Sequence, residues 1–259
     1  MRFTLITGAS RGIGASMAEY CASKGYNLLL VARTIDALGK IQIRLCEKYK
    51  VEVRVFCTDL TNKNSAEKIH DYCLSENIKI NMLINNAGIG LYGKFHELSL
   101  EEQFYLIELN QHAIIRMVYQ FLPMLRESDE SYILNVASTA CYQPIPYMAV
   151  YAATQAFIQS FTLALREELR RYNVHVSCLC PGPTSTDFFE RAGLQKLPVN
   201  SNEIKMGPDE VAETAIEGML DRDSEIVPGT SNTLGAYFSK LFPNKFVIKT
   251  VAGLFAPKL

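Results

Sequence analysis

The sequence has almost no excess of charge of either sign. Its 26 lysine and arginine residues stand against 27 aspartate and glutamate residues, a net charge of -1 over 259 residues. A nucleic-acid-binding surface needs clustered positive charge, so the charge balance gives no reason to expect nucleic acid as a partner. The hydrophobic fraction of 48% and the charged fraction of 20% are ordinary for a globular domain.

Cysteine pairs and histidines at metal-ligand spacing are also missing. The seven cysteines include no C-x-x-C pair, and His70, His96, His112 and His175 are far apart in the sequence. We therefore expect reduced thiols in a cytoplasmic protein, and no metal site. No apolar run reaches membrane-spanning length, and the first one, Phe3–Ile6, is too short for the core of a signal peptide.

What the chain does contain is an alternation of short apolar runs with segments of helical periodicity. The runs predicted as strands are Phe3–Ile6, Asn27–Val31, Glu52–Phe56, Met82–Asn85, Tyr132–Val136, Val174–Leu179 and, at an edge, Glu225–Val227. The segments predicted as helices are Ile13–Lys24, Ile35–Tyr49, Ser65–Glu76, Glu101–Arg126, Tyr151–Tyr172 and Pro208–Leu220. This alternation predicts an α/β fold: a Rossmann-like, doubly wound parallel β-sheet with helices on both faces, in one domain over residues 1–259.

The turn after the first predicted strand is rich in glycine. Its sequence, T-G-A-S-R-G-I-G over Thr7–Gly14, places Gly8, Gly12 and Gly14 between a strand and a helix. Glycine in such a turn lets backbone N–H groups approach a pyrophosphate closely, and the start of the helix attracts the negative charge. An ordinary strand-to-helix turn is the alternative, because a lone glycine pattern is weakly specific.

Three further motifs follow later strands in a fixed order. They are N-N-A-G over Asn85–Gly88, Ser138 with Tyr151 thirteen residues after it, and C-P-G-P-T-S-T over Cys180–Thr186. With these motifs the chain resembles the short-chain dehydrogenase/reductase family, classical type, from residue 3 to about residue 227. The resemblance implies hydride transfer between a nicotinamide cofactor and a carbonyl or alcohol carbon.

The resemblance also implies a cofactor site. The residues that it places there are Gly8, Ser10, Arg11, Gly12, Ile13, Gly14, Asp59, Leu60, Asn86, Ala87, Gly88, Tyr151, Gln155, Pro181, Gly182, Thr184 and Thr186. In the family, Asp59 and Leu60 would bracket the adenine ring, and Thr184 and Thr186 would meet the nicotinamide carboxamide. Capping of the next helix by Asp59 or Thr61 is the alternative role for this segment.

The end of the second predicted strand lacks a carboxylate. An NAD site would place Asp or Glu there for the ribose 2′-hydroxyl, and none occurs between Asn27 and Ile35. Arg33 stands there instead, and Arg11 lies in the glycine turn. Two guanidinium groups converging on one point suit a 2′-phosphate, so the sequence favours NADP(H) over NAD(H). Two solvated surface arginines are the alternative.

The resemblance implies the catalytic residues as well. Ser138 would bind the substrate oxygen and Tyr151 would be the general acid/base, while Asn110 matches an asparagine that anchors a water relay. Family members carry a lysine one helical turn after the tyrosine, which lowers the phenol pKa from about 10 and binds the ribose. Here that residue is Gln155.

Three functions are consistent with this sequence. The first is an NADP-dependent carbonyl reductase or alcohol dehydrogenase whose activity Gln155 impairs. The second is a cofactor-binding protein without turnover, and the third is a structural or regulatory protein that retains the fold. The first two share a fold and a site and differ in the effect of Gln155 on proton transfer.

The resemblance implies that substrate specificity comes from the loop after Thr186, from residues near Ser138 and from the C-terminus. Residues 187–205 are predicted to form a lid, with apolar side chains at Phe188, Phe189, Leu194 and Leu197. The mouth of the site is predicted to be lined by Cys141, Tyr142, Ile145 and Tyr147. Such a wall favours a small-molecule carbonyl or alcohol that is lipophilic, and core packing is the alternative.

The tail over residues 236–259 alternates apolar residues with Lys240, Lys245, Lys249 and Lys258. An amphipathic basic helix of this kind can make peripheral contact with a membrane, pack on its own domain or pack on a second subunit, and all three alternatives stay open. Family members usually pair through the helices represented here by residues 101–126 and 151–172. The resemblance therefore implies a homodimer or homotetramer.

Overall fold

The structure is a computed structural model that describes residues 2–196, 206–241 and 244–256. The strands in these residues are β1 Arg2–Thr7, β2 Asn27–Ala32, β3 Val53–Cys57, β4 Lys79–Asn85, β5 Ser131–Val136, β6 Val174–Leu179 and β7 Glu225–Ile226. They form one parallel sheet in the order β3-β2-β1-β4-β5-β6-β7. The predicted doubly wound fold is confirmed.

Helices cover both faces of the sheet. Within the described residues they are α1 Gly12–Ser23, α2 Ile35–Tyr49, α3 Ser65–Ser75, α4 Leu100–Ile107, α5 Ala113–Arg126, α6 Ala149–Leu169, α7 Phe188–Arg191, α8 Pro208–Leu220, α9 Thr230–Leu241 and α10 Asn244–Phe255. Side chains alternate between the faces along each strand, so Leu29 packs with α5 residues such as Phe121, and Leu30 packs with Met17 of α1. Both faces of the strands are therefore buried, which explains their continuous apolar sequences.

Some predicted bounds are corrected by the structure. β4 begins at Lys79, earlier than the predicted Met82, and β3 begins one residue after Glu52. The predicted helix Glu101–Arg126 is interrupted: α4 is followed by a π-helical turn over Glu108–His112, after which α5 begins. A π turn adds one residue per turn, and here it carries the buried side chain of Asn110.

The tail forms two helices, α9 and α10, rather than the single amphipathic helix expected from its sequence. The proline at position 243 lies between them in the sequence, and proline lacks the N–H that a continuous helix needs. Among the described helices, none combines the length and the hydrophobicity needed to cross a lipid bilayer.

The order of the strands determines where a ligand crevice opens at the edge of the sheet. β1 pairs with β2 on one side and with β4 on the other, so the strand order reverses direction at this point. Loops that leave the carboxyl ends of β1 and β4 separate there and open a crevice. The glycine turn follows β1, and the Asn86–Gly88 segment follows β4.

Candidate active site

A cleft of about 1050 Å³ lies at the carboxyl edge of the sheet. It brings together every residue that the sequence places at the catalytic and cofactor sites. These are Gly8, Ser10, Arg11, Gly12, Ile13, Gly14, Arg33, Asp59, Leu60, Asn86, Ala87, Gly88, Asn110, Ser138, Tyr151, Gln155, Pro181, Gly182, Thr184 and Thr186. The volume is large enough for a dinucleotide cofactor with a small substrate.

The glycine turn has the geometry of a phosphate cradle. Gly8 has a φ of 65°, and a Cβ there would lie 2.9 Å from the Cα of Ala87. The side chain of Arg11, the N-cap residue of α1, reaches Asp187 at 2.8 Å instead of capping the helix. Gly12, Ile13 and Gly14 begin α1 and line the cleft. The N–H groups in the first turn of a helix lack intrahelical partners, so this position suits the pyrophosphate of a dinucleotide.

Thr7 fixes the loop after β4 against the glycine turn. Its hydroxyl accepts hydrogen bonds from the N–H groups of Asn86 (3.0 Å) and Ala87 (3.1 Å). The side-chain amide of Asn86 in turn donates to the carbonyl oxygens of Thr7 (3.0 Å) and Gly8 (3.3 Å). Sequence reasoning did not single out Thr7, although it directly precedes the glycine motif.

The adenosine end of the cleft contains a polar cluster. Arg33 donates to the hydroxyl of Tyr105 at 2.6 Å and lies 3.8 Å from the carboxylate of Asp59. Burial raises the pKa of Asp59, but hydrogen bonds from Thr61 and the charge of Arg33 outweigh it and hold that pKa below its usual value. The helix-capping alternative is wrong for both Asp59 and Thr61, because Asn64 is the N-cap residue of α3. Asp59 instead closes the turn by accepting hydrogen bonds from Thr61.

The expected convergence of Arg11 and Arg33 on one point is not what the structure shows. Arg11 contacts Asp187 at 2.8 Å, whereas Arg33 lies beside Asp59. Both guanidinium groups line the cleft and are about half exposed. The sequence placed the two arginines near the strand ends, but it could not show that a different carboxylate stands beside each of them.

Tyr151 and Ser138 meet inside the cleft. Tyr151 is 8% exposed, and burial raises the pKa of its phenol to about 12, although a hydrogen bond with Ser138 lowers that pKa in part. The hydroxyl of Ser138 also donates to the carbonyl oxygen of Pro181 at 3.4 Å. The ring of Tyr151 packs against Phe188 of α7, with ring centroids 5.8 Å apart. The phenol is thus protonated at neutral pH and held against the serine.

Gln155 lies one helical turn after Tyr151 on α6, and both side chains are buried. Its Nε2 donates to the hydroxyl of Thr154 at 3.3 Å. That hydroxyl donates to the carbonyl oxygen of Tyr151 at 2.7 Å. No lysine is among the described residues that line the cleft. The position that the family resemblance assigns to an ammonium group is therefore held by a neutral amide tied to its neighbour.

Asn110 holds the loop after β4. Its Oδ1 accepts from the N–H of Ile89 (3.0 Å), and its Nδ2 donates to the carbonyl oxygen of Ile89 (2.9 Å) and to Thr154 (3.2 Å). Thr154 thus joins Asn110, Tyr151 and Gln155, although sequence reasoning missed it. The sequence signal that could have identified Thr154 is its position directly before Gln155.

The predicted substrate mouth is partly wrong. Ile145 lines the cleft, as do Phe188, Phe189 and Leu194 of the predicted lid. Cys141 and Tyr142 instead belong to the core, because the tight turn Thr139–Tyr142 directs them beneath the cleft.

Tyr147 also lies away from the cleft lining and packs against Tyr92, with ring centroids 6.2 Å apart. Its φ of 66° turns the chain there, which the sequence did not indicate. Leu197 and the rest of residues 197–205 lie outside the described residues. Two residues of α10 near the C-terminus, Leu254 and Phe255, also line the cleft.

Comparisons with known proteins agree with this geometry. A family model described as short chain dehydrogenase matches residues 2–196. A very-long-chain 3-oxoacyl-CoA reductase of Pyrenophora tritici-repentis is 33% identical over 181 residues, which are 68% of this chain and 53% of that protein. The chain thus spans about half the length of the first curated relatives that it matches.

Two solved structures show the likeness over nearly the whole chain. A short-chain dehydrogenase from Sphingobium yanoikuyae in complex with NADPH has a TM-score of 0.81 and 31% identity, covering 93% of this chain and 94% of that one. A short-chain dehydrogenase/reductase from Burkholderia phymatum in complex with NAD has a TM-score of 0.81 and 25% identity, covering 91% and 92%. The chain therefore belongs to the short-chain dehydrogenase/reductase family of oxidoreductases.

Proposed function

We propose that the protein is an NADP(H)-dependent oxidoreductase that interconverts a lipophilic carbonyl compound and its secondary alcohol. The observation that carries this proposal is that Tyr151 and Ser138 line the same cleft as the glycine turn. One group can transfer a proton while the other holds the substrate oxygen. Because Gln155 replaces a lysine and brings no positive charge, we expect a low turnover rate at neutral pH.

The cofactor supplies the hydride when it is bound. The glycine turn and the start of α1 would hold its pyrophosphate, and Arg33 would bind a 2′-phosphate. Structural relatives carry NADPH in one case and NAD in another. The preference for NADP(H) therefore rests on Arg33 and on the absence of a carboxylate at the end of β2 in the sequence.

In the reductive direction, Tyr151 donates its phenolic proton to the carbonyl oxygen while Ser138 donates a hydrogen bond to the same atom. With a pKa of about 12, the phenol is fully protonated but is a weak acid. A unit positive charge about 4 Å away is worth up to about 4 kcal/mol at an effective dielectric of about 20. Gln155 supplies no such charge, so we expect turnover to be lower by about a hundredfold or more than with a lysine.

Apolar side chains on the substrate side of the cleft support a lipophilic substrate. Ile145 and Met148 face the cleft from the segment between β5 and α6, and Phe188, Phe189 and Leu194 face it from the lid. The reductase of P. tritici-repentis acts on an acyl chain, as its name states, but it is about twice as long as the aligned region. We therefore propose the class of a lipophilic ketone rather than a named substrate.

The test is turnover with NADPH over a panel of aliphatic and aromatic ketones. We expect slow reduction by the wild-type protein, none by Tyr151→Phe and a gain of about a hundredfold in Gln155→Lys. Gln155→Met is the matched control, because it has a similar size without the amide or a charge. Bound NADPH with no turnover in either the wild type or Gln155→Lys would contradict the proposal.

That negative result would favour the second candidate, a cofactor-binding protein without turnover. The hydrogen bond of Gln155 to Thr154 supports this candidate, because it fills the lysine position with a group that cannot lower the phenol pKa by charge. A failure to bind NADPH, measured by calorimetry, would favour a structural or regulatory role instead.

We also propose a cytoplasmic homodimer or homotetramer. The outer face of α4 and α5 supports it, because Leu100, Phe104 and Tyr119 are more than half exposed there. Sedimentation equilibrium of the purified chain tests this assembly. A monomer at micromolar concentration would contradict it.

A further inference from the structure

Positive charge is concentrated at the end of a chain whose other residues carry a net negative charge. From residue 226 to residue 259 the sequence contains Lys240, Lys245, Lys249 and Lys258 and no aspartate, glutamate or arginine. The whole chain has a net charge of -1. Residues 226–259 therefore create a local positive electrostatic potential that the net charge of the whole chain does not show.

An apolar stripe runs along one face of α9. Leu234, Phe238 and Leu241 are 60%, 50% and 78% exposed. Their spacing of four and three residues places them on the same side of the helix. Single exposed apolar residues are common, whereas a row of three large ones marks a contact surface.

The second tail helix is held on its domain by its inner face. Val251 is buried, and Val247 and Phe255 pack against the apolar cluster that contains Tyr92 and Tyr151. The hydroxyl of Tyr92 donates to the carbonyl oxygen of Phe255 at 2.7 Å. α10 is therefore a fixed part of the fold, with a definite outer face.

That outer face is both basic and apolar. Lys245 and Lys249 are exposed, and Phe246, on the same side of the helix, is 62% exposed. Leu254 lines the cleft. It follows Lys245 by nine residues, so it lies about half a turn around the helix from that lysine and borders the inner face.

We propose that the outer faces of α9 and α10 form a docking surface for an anionic lipid bilayer. Exposed apolar side chains would enter the interfacial region, while lysines meet anionic headgroups. A second copy of the chain is a poorer occupant, because a twofold contact would bring the lysines of one copy against those of the other.

The test is flotation of the full chain with neutral phosphatidylcholine vesicles and with vesicles that contain a quarter phosphatidylserine. We expect binding to the anionic vesicles that weakens with added salt. Lys245→Gln with Lys249→Gln should weaken it roughly thirtyfold, the factor for about 1 kcal/mol per lysine.

The apolar contribution is tested by Leu234→Glu with Leu241→Glu, which should weaken vesicle binding at least about tenfold. The matched control is Ile43→Glu with Leu74→Glu, two leucine-sized residues that are each 58% exposed on α2 and α3. This control should bind as the wild type does, and thermal unfolding of each variant shows that it is folded.

Three results would overturn the docking surface. The first is that the protein does not bind anionic vesicles, and the second is that the test and control variants lose vesicle binding equally. The third is that the wild-type protein binds no vesicles but forms a dimer, which dissociates in the variant Leu234→Glu with Leu241→Glu. Vesicle binding requires no turnover, so its outcome is separate from that of the proposed activity.

Discussion

Gln155 donates a hydrogen bond from its Nε2 to the hydroxyl of Thr154, 3.3 Å away. The same hydroxyl accepts from Asn110 and donates to the backbone of Tyr151. The amide is therefore part of an ordered network around the proposed acid/base, and it leaves the phenol without a nearby positive charge. This arrangement determines how the proposed activity should depend on pH.

Alcohol oxidation requires the phenolate form of Tyr151, whose fraction falls about tenfold for each pH unit below the phenol pKa. With that pKa raised to about 12, log(kcat/KM) for oxidation by the wild type should rise with unit slope throughout the accessible pH range. In Gln155→Lys, the ammonium should lower the pKa by roughly two units, so the profile should level off near pH 10. The difference is measured by recording pH–rate profiles of the wild type and Gln155→Lys under the same conditions. The profile of Gln155→Met should match that of the wild type. A plateau near neutral pH in the wild type would contradict this assignment of Tyr151.

Arg33→Ala should change cofactor preference. Loss of a charge-assisted contact with the 2′-phosphate should weaken NADPH binding by about tenfold or more and leave NADH binding within about twofold. Calorimetric titration with both cofactors measures this. Arg44→Ala is the control, because Arg44 is also exposed but binds Glu19 at 2.8 Å. Equal losses for NADPH and NADH in Arg33→Ala would show that Arg33 does not recognise the phosphate.

Thr154→Val should reduce both stability and turnover. It removes the acceptor for Asn110 and Gln155, and unsatisfied buried donors cost about 1–3 kcal/mol. Thr162→Val is a matched control on the same helix, because Thr162 donates to Ile158 and accepts from Asn135 in the same way. Urea denaturation should show similar losses in both variants, whereas turnover should fall only in Thr154→Val. A loss of turnover in Thr162→Val as well would assign both effects to general destabilisation.

Gly8→Ala and Gly39→Ala should have opposite effects. At Gly8, the φ of 65° and the contact with Ala87 should lower the free energy of unfolding by about 1–3 kcal/mol and prevent dinucleotide binding. Gly39 is inside α2 and a Cβ there would meet open space, so alanine should raise the free energy of unfolding by up to about 1 kcal/mol. Thermal unfolding with and without NADPH distinguishes the two. A stable, NADPH-binding Gly8→Ala would show that the turn does not hold the pyrophosphate.

The sheet could be predicted because its strands are buried on both faces, which leaves continuous apolar runs such as Asn27–Ala32 in the sequence. Parallel topology then brings the strand ends to one edge, so residues as distant as Gly8 and Ser138 were expected in the same cleft. The family motifs supplied their proposed roles, which composition and periodicity could not.

Other features depend on contacts that periodicity does not encode. The π turn at Glu108–His112 contains no glycine or proline that would mark an interruption, so the sequence predicted one continuous helix there. The inward direction of Cys141 and the pairing of Arg11 with Asp187 result from tertiary packing between distant segments. Thr154 was missed because a threonine within a helix gives no sign of its partners across the fold.

β1 is an interior strand of the sheet and pairs with β2 and β4, although β4 begins only at Lys79. During synthesis on the ribosome, one edge of β1 can pair soon after β2 emerges, while its other edge waits for β4. Delayed pairing between distant segments slows folding, and an open apolar edge can pair with other chains. The nascent chain should therefore be most prone to aggregation, and most dependent on chaperones, before residue 85 has emerged.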